Sequence, residues 1–445
     1  MYSDELLKIF KNSKIEVGDR IKIESKEYSA EGELMPKAEV SAEDIIIVKL
    51  DSGYNIGMAY GKEVSLKKIA QGKKSIAFPK AAVVASKSLP KVSIIYTGGT
   101  IGSKIDYITG GAHTLIDPSE LLYEVPELAG IANVTMRHLF SVWSEDMTYM
   151  EWQAMAKQVK SELDSGAHGV VITMGTDMMH YTAAALSFML EKLNAPVVVT
   201  GAQRSSDRGS SDAFINLSCA VQIAARSDIA EVGICMHASS SDDKCAFIRG
   251  TRARKMHTSR RDAFRPINDK AIAYVDRKMN ITYNNDYNRI MEEFSGKVNA
   301  RTGFEPKVAL LKSFPNSDPE VIDFYVKKGY KGIIIEGTGL GNLPGGRTHE
   351  QFSWLDKLDS AVKKGVVVGL TSQCMYGRVS KNVYSKMREI SALGVIYCED
   401  MTAEAAYVKL GWLLGNYKPE EAKALLDKSI AREIKERSNY DEFLI

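Results

Sequence analysis

From residue 91 onward the chain alternates short apolar runs with amphipathic stretches, and this rhythm limits the possible folds more than any other feature. Eight runs rich in Val and Ile are typical of buried strands, at residues 92–96, 169–173, 196–200, 231–236, 307–312, 332–336, 365–370 and 393–397. Stretches such as Thr182–Leu193 and Glu320–Lys328 have the apolar spacing of helices. Continuous apolar strands separated by helices predict a parallel sheet covered on both faces, in a doubly wound α/β fold.

Residues 1–88 follow a different pattern. Short strand candidates such as Arg20–Glu24 and Ile45–Leu50 are separated by turn signals, which predicts a small β-barrel. The stretch Pro79–Pro90, with small residues and several lysines, is typical of a linker. We therefore predict three parts: a small β-barrel domain with its linker over residues 1–88, a larger lobe over 89–303, and a smaller α/β lobe with a helical tail over 304–445.

The composition argues against several classes of protein. The formal net charge is only +2, from 58 basic and 56 acidic residues, which disfavours a protein that binds nucleic acid over its whole surface. No apolar run approaches the roughly 20 residues that a membrane-spanning helix needs. The N-terminus lacks the basic and apolar regions of a signal peptide, and the five cysteines have no CxxC spacing. We expect a cytoplasmic protein with free thiols and no membrane partner.

The residues after each apolar run are the candidates for chemistry, because parallel sheets bind ligands at the carboxyl ends of their strands. Three of these ends place threonine beside glycine: Thr97-Gly98-Gly99-Thr100-Ile101-Gly102, Thr173-Met174-Gly175-Thr176-Asp177 and Thr200-Gly201-Ala202-Gln203-Arg204. Gly98-Gly99 breaks the GxGxxG spacing of a dinucleotide site, and the Gly-Lys-Ser/Thr of a P-loop is absent from the sequence. The pattern therefore disfavours nucleotide binding.

Together, the threonine-containing strand ends and a lysine provide the groups that amide hydrolysis requires. A threonine hydroxyl is a weak nucleophile and requires a base or a proton relay, which a lysine and a second threonine can provide. Lys255, in the basic stretch Arg249–Thr258, is either that lysine or part of a solvated loop. Thr176 and Asp177 belong either to this relay or to a helix cap and first turn. Backbone N–H groups at a glycine-rich strand end can stabilise an oxyanion.

In this order, Thr97–Gly102, Gly175-Thr176-Asp177 and Lys255 resemble the signature of the bacterial-type L-asparaginase family. The resemblance covers about residues 91–418. It implies a two-lobe α/β fold that forms homodimers and hydrolyses an amino-acid side-chain amide. It also implies that Thr100 is the primary nucleophile, and that Thr176, Lys255 and Asp177 form a second hydroxyl–lysine–carboxylate set.

Further positions match the substrate-binding parts of that family. Ser144 and Glu145 match the stretch that holds the substrate, and Ala202 matches a backbone donor to the oxyanion. The segment over residues 104–114 differs from the usual lid of the family, and Tyr107 is the nearest candidate for the lid tyrosine. The resemblance therefore implies substrate-binding roles for Ser144, Glu145, Ala202 and Tyr107.

The altered lid, the domain over residues 1–88 and the polar stretch over 276–304 resemble the D-subunit family of archaeal glutamyl-tRNA(Gln) amidotransferases, over essentially the full chain. This resemblance implies that the chain hydrolyses glutamine and passes ammonia to an E subunit, which binds tRNA(Gln), ATP and magnesium. The chain itself would hold no cofactor or metal. It would self-associate as a dimer within a heterotetramer.

Two other hypotheses about the function are considered at this point. A free-standing L-asparaginase with an extra N-terminal domain would share every catalytic residue, so the motifs do not separate it from a member of an amidotransferase complex. An enzyme-derived binding scaffold is disfavoured because Thr100, Thr176, Asp177 and Lys255 are all intact.

Overall fold

The computed structural model describes most of the chain. The described residues are 2–25, 28–35, 45–50, 55–61, 63–71, 88–99, 101, 103–105, 112–114, 125, 127–204, 211–291, 297–346 and 349–443. Thr100 and Tyr107 lie outside this set, as does most of the predicted linker Pro79–Pro90. Their roles therefore stay predictions from the sequence.

The N-terminal part is an antiparallel sheet with a helix and a core of its own. The helix spans Asp4–Asn12 and begins after Ser3, whose hydroxyl accepts a hydrogen bond from the Leu6 N–H. The strands are β1 (Arg20–Glu24), β2 (Ser29–Leu34), β3 (Ile45–Lys49), β4 (Asn55–Ala59) and β5 (Ser65–Ala70). They pair in the order β4-β3-β2-β1-β5, around a buried cluster that includes Ile21 and Ile46. In the described residues, the domain predicted as a small β-barrel is thus a five-stranded antiparallel sheet.

The larger lobe contains the strands that carry the candidate site. In chain order they are β6 (Lys91–Tyr96), β7 (Ser103–Ile105), β8 (Ala112–Thr114), β9 (Asn133–His138), β10 (Gly169–Thr173), β11 (Leu190–Glu191), β12 (Val197–Thr200), β13 (Val232–His237), β14 (Lys244–Arg249), β15 (Ala253–Lys255), β16 (Phe264–Pro266), β17 (Ala273–Asp276), β18 (Ile281–Tyr283) and β19 (Asn299–Ala300). Its α-helices span Leu128–Ile131, Tyr149–Asp164, Met179–Met189 and Ala213–Arg226.

One sheet with the strand order β18-β17-β14-β13-β12-β10-β6-β9 forms the centre of this lobe. From β9 to β13 the neighbouring strands are parallel, which confirms the predicted α/β architecture. The strands β14, β17 and β18 extend it antiparallel. Antiparallel neighbours need only short turns instead of crossover helices, so this end of the sheet is built from hairpin-like connections. The polar stretch after residue 276 accordingly includes an edge strand.

Burial on both faces explains the continuous apolar runs. Along β10, Val170 and Ile172 belong to a buried cluster with Met179 of the helix Met179–Met189. Val171, between them, belongs to a second buried cluster with Leu217 of the helix Ala213–Arg226. Successive strand residues point to opposite faces, so every position of β10 is apolar or small because each face is covered by a helix.

The smaller lobe is a four-stranded parallel sheet. Its strands, β20 (Val308–Lys312), β21 (Gly332–Gly337), β22 (Val367–Ser372) and β23 (Ile396–Tyr397), pair in chain order. Its helices span Glu320–Lys327, Leu355–Lys363, Ser385–Ala392, Ala403–Asn416 and Pro419–Leu425. The helix predicted over Glu320–Lys328 is therefore confirmed to within one residue. In the described part of the chain, no helix is long and apolar enough to cross a membrane.

The helix predicted over Thr182–Leu193 is displaced towards the N-terminus. It spans Met179–Met189 and stops where Leu190–Glu191 pairs with Asn299–Ala300. The apolar spacing continues past Met189, and the Leu190 N–H still donates to the Leu186 carbonyl oxygen, but the chain then pairs with β19. This tertiary pairing overrides the local helical pattern.

Candidate active site

Three glycine-bearing strand ends meet at one edge of the large sheet. Gly99, after β6, has a φ of +90°, and a Cβ added there would lie 2.2 Å from the Gly175 nitrogen. Gly201, after β12, packs as tightly, because its Cβ would lie 2.5 Å from the Met174 carbonyl oxygen. Only glycine permits such an approach of two backbones. The structure therefore brings the ends of β6, β10 and β12 together, as their parallel order predicts.

Threonine side chains help to hold these ends in place. The Thr97 hydroxyl donates to the Thr173 carbonyl oxygen at 2.9 Å, and the Thr97 N–H donates to the same oxygen at 3.1 Å. Both threonines are fully buried. Thr97 thus joins the end of β6 to the end of β10, beside the segment that leads to Thr100.

Lys255 contacts the second strand end through its amino group. Its Nζ donates to Thr176 Oγ1 at 2.9 Å and to Asp177 Oδ1 at 2.7 Å. The Lys255 side chain is 10% exposed, whereas that of Asp177 is 61% exposed. The three residues therefore form a contiguous set in which the lysine is enclosed and the carboxylate faces the solvent.

The structure does not support the helix-cap alternative for Thr176. The following helix begins at Met179, and no side chain caps it at Met178. Thr176 Oγ1 instead accepts from Lys255, which lies on the hairpin of β15 and β16 and is 79 positions away in the chain. A lysine bound to a hydroxyl and a carboxylate is suited to move a proton to or from that hydroxyl.

Ser144 and Glu145 occupy different environments next to this set. The buried Ser144 hydroxyl donates to the Gly175 carbonyl oxygen at 2.9 Å and accepts from the Met178 N–H at 2.8 Å. Ser144 therefore holds the turn that presents Thr176. Glu145 is exposed within the short helical turn Ser144–Asp146. The substrate-binding roles of both residues stay predictions.

Three family models match this chain. They are Asparaginase, N-terminal, over residues 91–288; Glutaminase/Asparaginase C-terminal domain, over 307–426; and GatD N-terminal domain, over 15–69. The chain is 46% identical to the D subunit of a glutamyl-tRNA(Gln) amidotransferase from Pyrococcus abyssi, with 100% of both chains covered. It is 43% identical to the corresponding D subunit from Methanobrevibacter smithii, with 100% of this chain and 99% of that one covered.

The chain belongs to the D-subunit family of glutamyl-tRNA(Gln) amidotransferases. Solved L-asparaginases share part of its structure. A thermostable L-asparaginase from Thermococcus kodakarensis is 29% identical with a TM-score of 0.68, and covers 78% of this chain and 100% of its own. L-asparaginase I from Vibrio cholerae is 30% identical, with the same TM-score and coverages. The D-subunit relatives thus match the full chain, whereas the asparaginases match about four-fifths of it.

The sequence did not predict how Asp212 and Asn216 fix the third strand end. The buried Asp212 carboxylate accepts from the Gln203 N–H and the Arg204 N–H, both at 3.0 Å. Asn216, one helical turn later, donates to the Gly201 carbonyl oxygen at 2.9 Å. These contacts hold the loop that contains the buried Ala202. An Asp and an Asn four residues apart on an otherwise apolar helix face were the available signal.

The same loop brings a further side chain to the candidate set. Gln203 Oε1 lies 3.5 Å from Thr176 Oγ1, at the outer limit of a hydrogen bond. Asn216 in turn contacts the Nδ1 atom of the buried His237 at 2.6 Å. A buried polar network thus runs from the neighbouring strand to the loop beside Thr176.

Two histidines of the larger lobe, His180 near the site and His168 at the opposite end of β10, lie outside the Thr176–Lys255–Asp177 set. Burial, followed by the positive charges of Arg254 and Lys255, lowers the pKa of His180 to about 4, so its imidazole is neutral near pH 7. His168 Nδ1 accepts from the Lys91 N–H at 3.1 Å. Among the described residues, no group of three or more His, Cys, Asp or Glu is arranged to hold a metal ion.

Proposed function

We propose that this chain hydrolyses glutamine and supplies the ammonia for conversion of Glu-tRNA(Gln) to Gln-tRNA(Gln). Its match over the full chain to D subunits of glutamyl-tRNA(Gln) amidotransferases supports this proposal. The observation that carries the chemistry is the contact of Lys255 Nζ with both Thr176 Oγ1 and Asp177 Oδ1, at 2.9 and 2.7 Å. An asparaginase-type amidohydrolase needs such a proton-transfer set beside its nucleophile.

In the first half of the proposed reaction, the Thr100 hydroxyl oxygen attacks the side-chain amide carbon of glutamine. The hydroxyl proton is transferred to the amide nitrogen, the C–N bond breaks, and ammonia leaves an acyl ester on Thr100. The Ala202 N–H is the proposed donor to the oxyanion of the tetrahedral intermediate. Its loop is suited to this role because the hydrogen bonds to Asp212 fix the backbone on the carboxyl side of Ala202.

In the second half, a water molecule attacks the acyl ester and releases glutamate. Lys255 in its free-amine form accepts, through the Thr176 hydroxyl, the proton that the attacking water loses, and it returns a proton to the Thr100 oxygen as the ester breaks. Asp177 orients Lys255 through its Oδ1 atom at 2.7 Å. Because this carboxylate is 61% exposed, it is also placed to accept from a substrate ammonium group.

Membership of the D-subunit family makes this chain part of a multi-subunit amidotransferase. We propose that its partner is an E subunit, which binds tRNA(Gln) and supplies the ATP and magnesium chemistry. Two copies of each protein would form a cytoplasmic heterotetramer. The net charge of +2 supports a division of labour in which the partner makes most of the tRNA contacts.

Amide hydrolysis by the purified chain tests the proposal directly. Glutamine and asparagine are compared as substrates, for the chain alone and with the E subunit and charged tRNA. We expect glutamine hydrolysis that rises in the presence of the E subunit carrying glutamyl-tRNA(Gln). Asparagine hydrolysis that neither the partner nor the tRNA changes would instead support a free-standing L-asparaginase.

A further inference from the structure

The hairpin that carries Lys255 lies outside the large sheet. Among the described residues, β15 and β16 form a two-stranded sheet of their own. The hydrogen bonds of the eight-stranded sheet therefore do not fix the direction of Lys255. Its amino group contacts Thr176 and Asp177 of the larger lobe, whereas neighbouring side chains of the hairpin reach the smaller lobe.

The two ends of the hairpin are fastened to the same point of the smaller lobe. The fully buried Arg252 donates from Nη1 to Asp400 Oδ2 at 2.9 Å and to the Asp400 carbonyl oxygen at 3.2 Å. Asn268, just after β16, donates to the same carbonyl oxygen at 3.0 Å. The Asp400 side chain is 1% exposed. Both strands of the hairpin are thus anchored outside the lobe that holds Thr176.

A second ion pair lies closer to Lys255. Arg254, the residue before it, pairs with Glu404 in the first turn of the helix Ala403–Asn416. Glu404 is buried, and its other oxygen, Oε2, has no hydrogen-bond partner in the described part of the chain. Loss of the cation that faces a buried carboxylate is costly, so Glu404 strongly restrains the Arg254 side chain.

Restraint of Arg254 also restrains Lys255. Successive residues of a strand point to opposite faces, so Arg254 directed towards Glu404 leaves Lys255 directed towards Thr176. We propose that Glu404 is a positioning residue for Lys255 and acts through Arg254. The smaller lobe then sets the 2.9 Å contact between Lys255 Nζ and Thr176 Oγ1. This inference rests on the role of Lys255 in the proposed function.

The variant Glu404→Gln keeps the size of the side chain and removes the charge that holds Arg254. We expect kcat for glutamine hydrolysis to fall about tenfold or more and KM to change less than about twofold, because the pair affects proton transfer and not substrate binding. Glu404→Asp, which retains the carboxylate, should recover part of the lost kcat. Unchanged kcat in Glu404→Gln, or a loss confined to KM, would overturn the proposal.

Asp441→Asn is the matched control. It breaks the ion pair of Lys270 and Asp441, whose N···O distance is 2.5 Å. This pair also joins the larger lobe to the C-terminal part of the chain, but it involves neither strand of the hairpin. The control should keep wild-type kcat and KM. An equal loss of kcat in Asp441→Asn would show that any weakened contact between these parts lowers activity, and would contradict a specific role for Glu404.

A comparison with Lys255→Met separates positioning from general stabilisation. If Glu404 acts through Lys255, Glu404→Gln should lower kcat no further when Lys255→Met is already present. If the fold losses in kcat of the two single variants multiply in the double variant, Glu404 acts by a route that does not include Lys255. Lys255→Met with full glutaminase activity would instead remove the proposed function of Lys255. A fully active Glu404→Gln beside an inactive Lys255→Met would remove only the positioning role.

Hydrogen exchange gives a readout that does not depend on activity. The Met256 N–H donates to the Ala263 carbonyl oxygen at 2.7 Å and closes the hairpin next to Lys255. Release of Arg254 should loosen this hairpin, so exchange at Met256 should be faster in Glu404→Gln than in wild type or Asp441→Asn. Equal protection of Met256 in all three proteins would contradict the fastening of the hairpin by Glu404.

Discussion

At the scale of single residues, the contacts of Lys255 give Thr176 and Lys255 one shared task. The 2.9 Å separation of Lys255 Nζ and Thr176 Oγ1 is within reach of direct proton transfer. Thr176→Val and Lys255→Met should each lower kcat about 100-fold or more. The double variant should lose little beyond the larger single loss, because both residues lie on one proton path. Steady-state glutamine hydrolysis is measured for wild type, the two single variants and the double variant. If the two single losses in kcat multiply in the double variant, the residues have separate roles.

Protonation of His180 should lower the free energy of unfolding at acidic pH. Its pKa is lowered to about 4, first by burial and then by Arg254 and Lys255, against about 6.5 in an unfolded chain. Between these values the unfolded chain binds a proton that the folded chain does not, so the free energy of unfolding falls as the pH drops from about 6.5 to about 4. His180→Gln lacks this titration. The difference in the free energy of unfolding between wild type and His180→Gln should therefore change by about 2–3 kcal/mol between pH 6.5 and pH 4.

Urea denaturation of wild type and His180→Gln at pH 4.5 and pH 7 measures this change. Carboxylates that titrate in the same range affect both proteins equally, so the difference isolates His180. A difference in the free energy of unfolding that is the same at both pH values would contradict the neutral, buried state of this imidazole.

The site residues also show how far sequence reasoning reaches at this scale. Thr176, Asp177 and Lys255 were proposed from their residue types and order, and the structure places them in contact. The part that Asp212 and Asn216 play in holding the loop was not predicted, because their carboxylate and amide bond to backbone groups. Such partners leave no complementary residue type in the sequence, so the spacing of the two polar residues on an otherwise apolar helix face is the signal that remains.

At the scale of elements, the approach of strand ends depends on glycine. A Cβ at Gly99 would lie 2.2 Å from the Gly175 nitrogen, whereas one at Gly166 would meet no atom within 4 Å. Both residues have a φ of +90°. Gly166→Ala should therefore cost only the backbone strain of about 1–2 kcal/mol. Gly99→Ala should lower the free energy of unfolding by a further 1–2 kcal/mol or so, because β6 and β10 must separate. An equal loss of unfolding free energy in Gly99→Ala and Gly166→Ala would show that the ends of β6 and β10 can accommodate a Cβ atom.

The predicted domain boundary is tested by proteolysis. The N-terminal sheet has its own buried cluster, which includes Leu6, Ile23 and Val48. If residues 1–88 fold as a separate domain, limited proteolysis should cut first within Pro79–Pro90 and leave a stable fragment on each side. Mass spectrometry of the early fragments identifies the cuts. Earlier cleavage inside residues 20–60 would argue against a compact N-terminal domain.

The elements also show where apolar patterning works and where it fails. Strands buried on both faces, such as β10 and β12, are recognised by uninterrupted apolar runs. The strands β14 and β18 were missed. The apolar run of β14 is short, with Lys244 before it and Arg249 after it. The strand β18 is largely exposed because it lies at the edge of the sheet. In β18, three residues are too few for an alternating pattern to distinguish a strand from a loop.

At the scale of the whole molecule, the two lobes build the site together. The larger lobe supplies Thr176 and Asp177, while Arg252 and Arg254 on the hairpin of Lys255 pair with Asp400 and Glu404 of the smaller lobe. An ammonia-supplying enzyme gains from this arrangement, since glutamine hydrolysis without an acceptor wastes ammonia. A partner that shifts one lobe against the other has a physical route to Lys255.

Transfer of labelled nitrogen is the most direct test of the account. The chain is combined with the E subunit, glutamyl-tRNA(Gln), ATP and magnesium, and glutamine labelled with ¹⁵N in its side-chain amide is the donor. We predict that the label appears in the side-chain amide of glutaminyl-tRNA(Gln). Thr100→Ala should abolish this transfer, while added ammonium should restore product formation by the partner. Glutamine hydrolysis without label in the tRNA-bound amide, or transfer that Thr100→Ala leaves intact, would contradict the account.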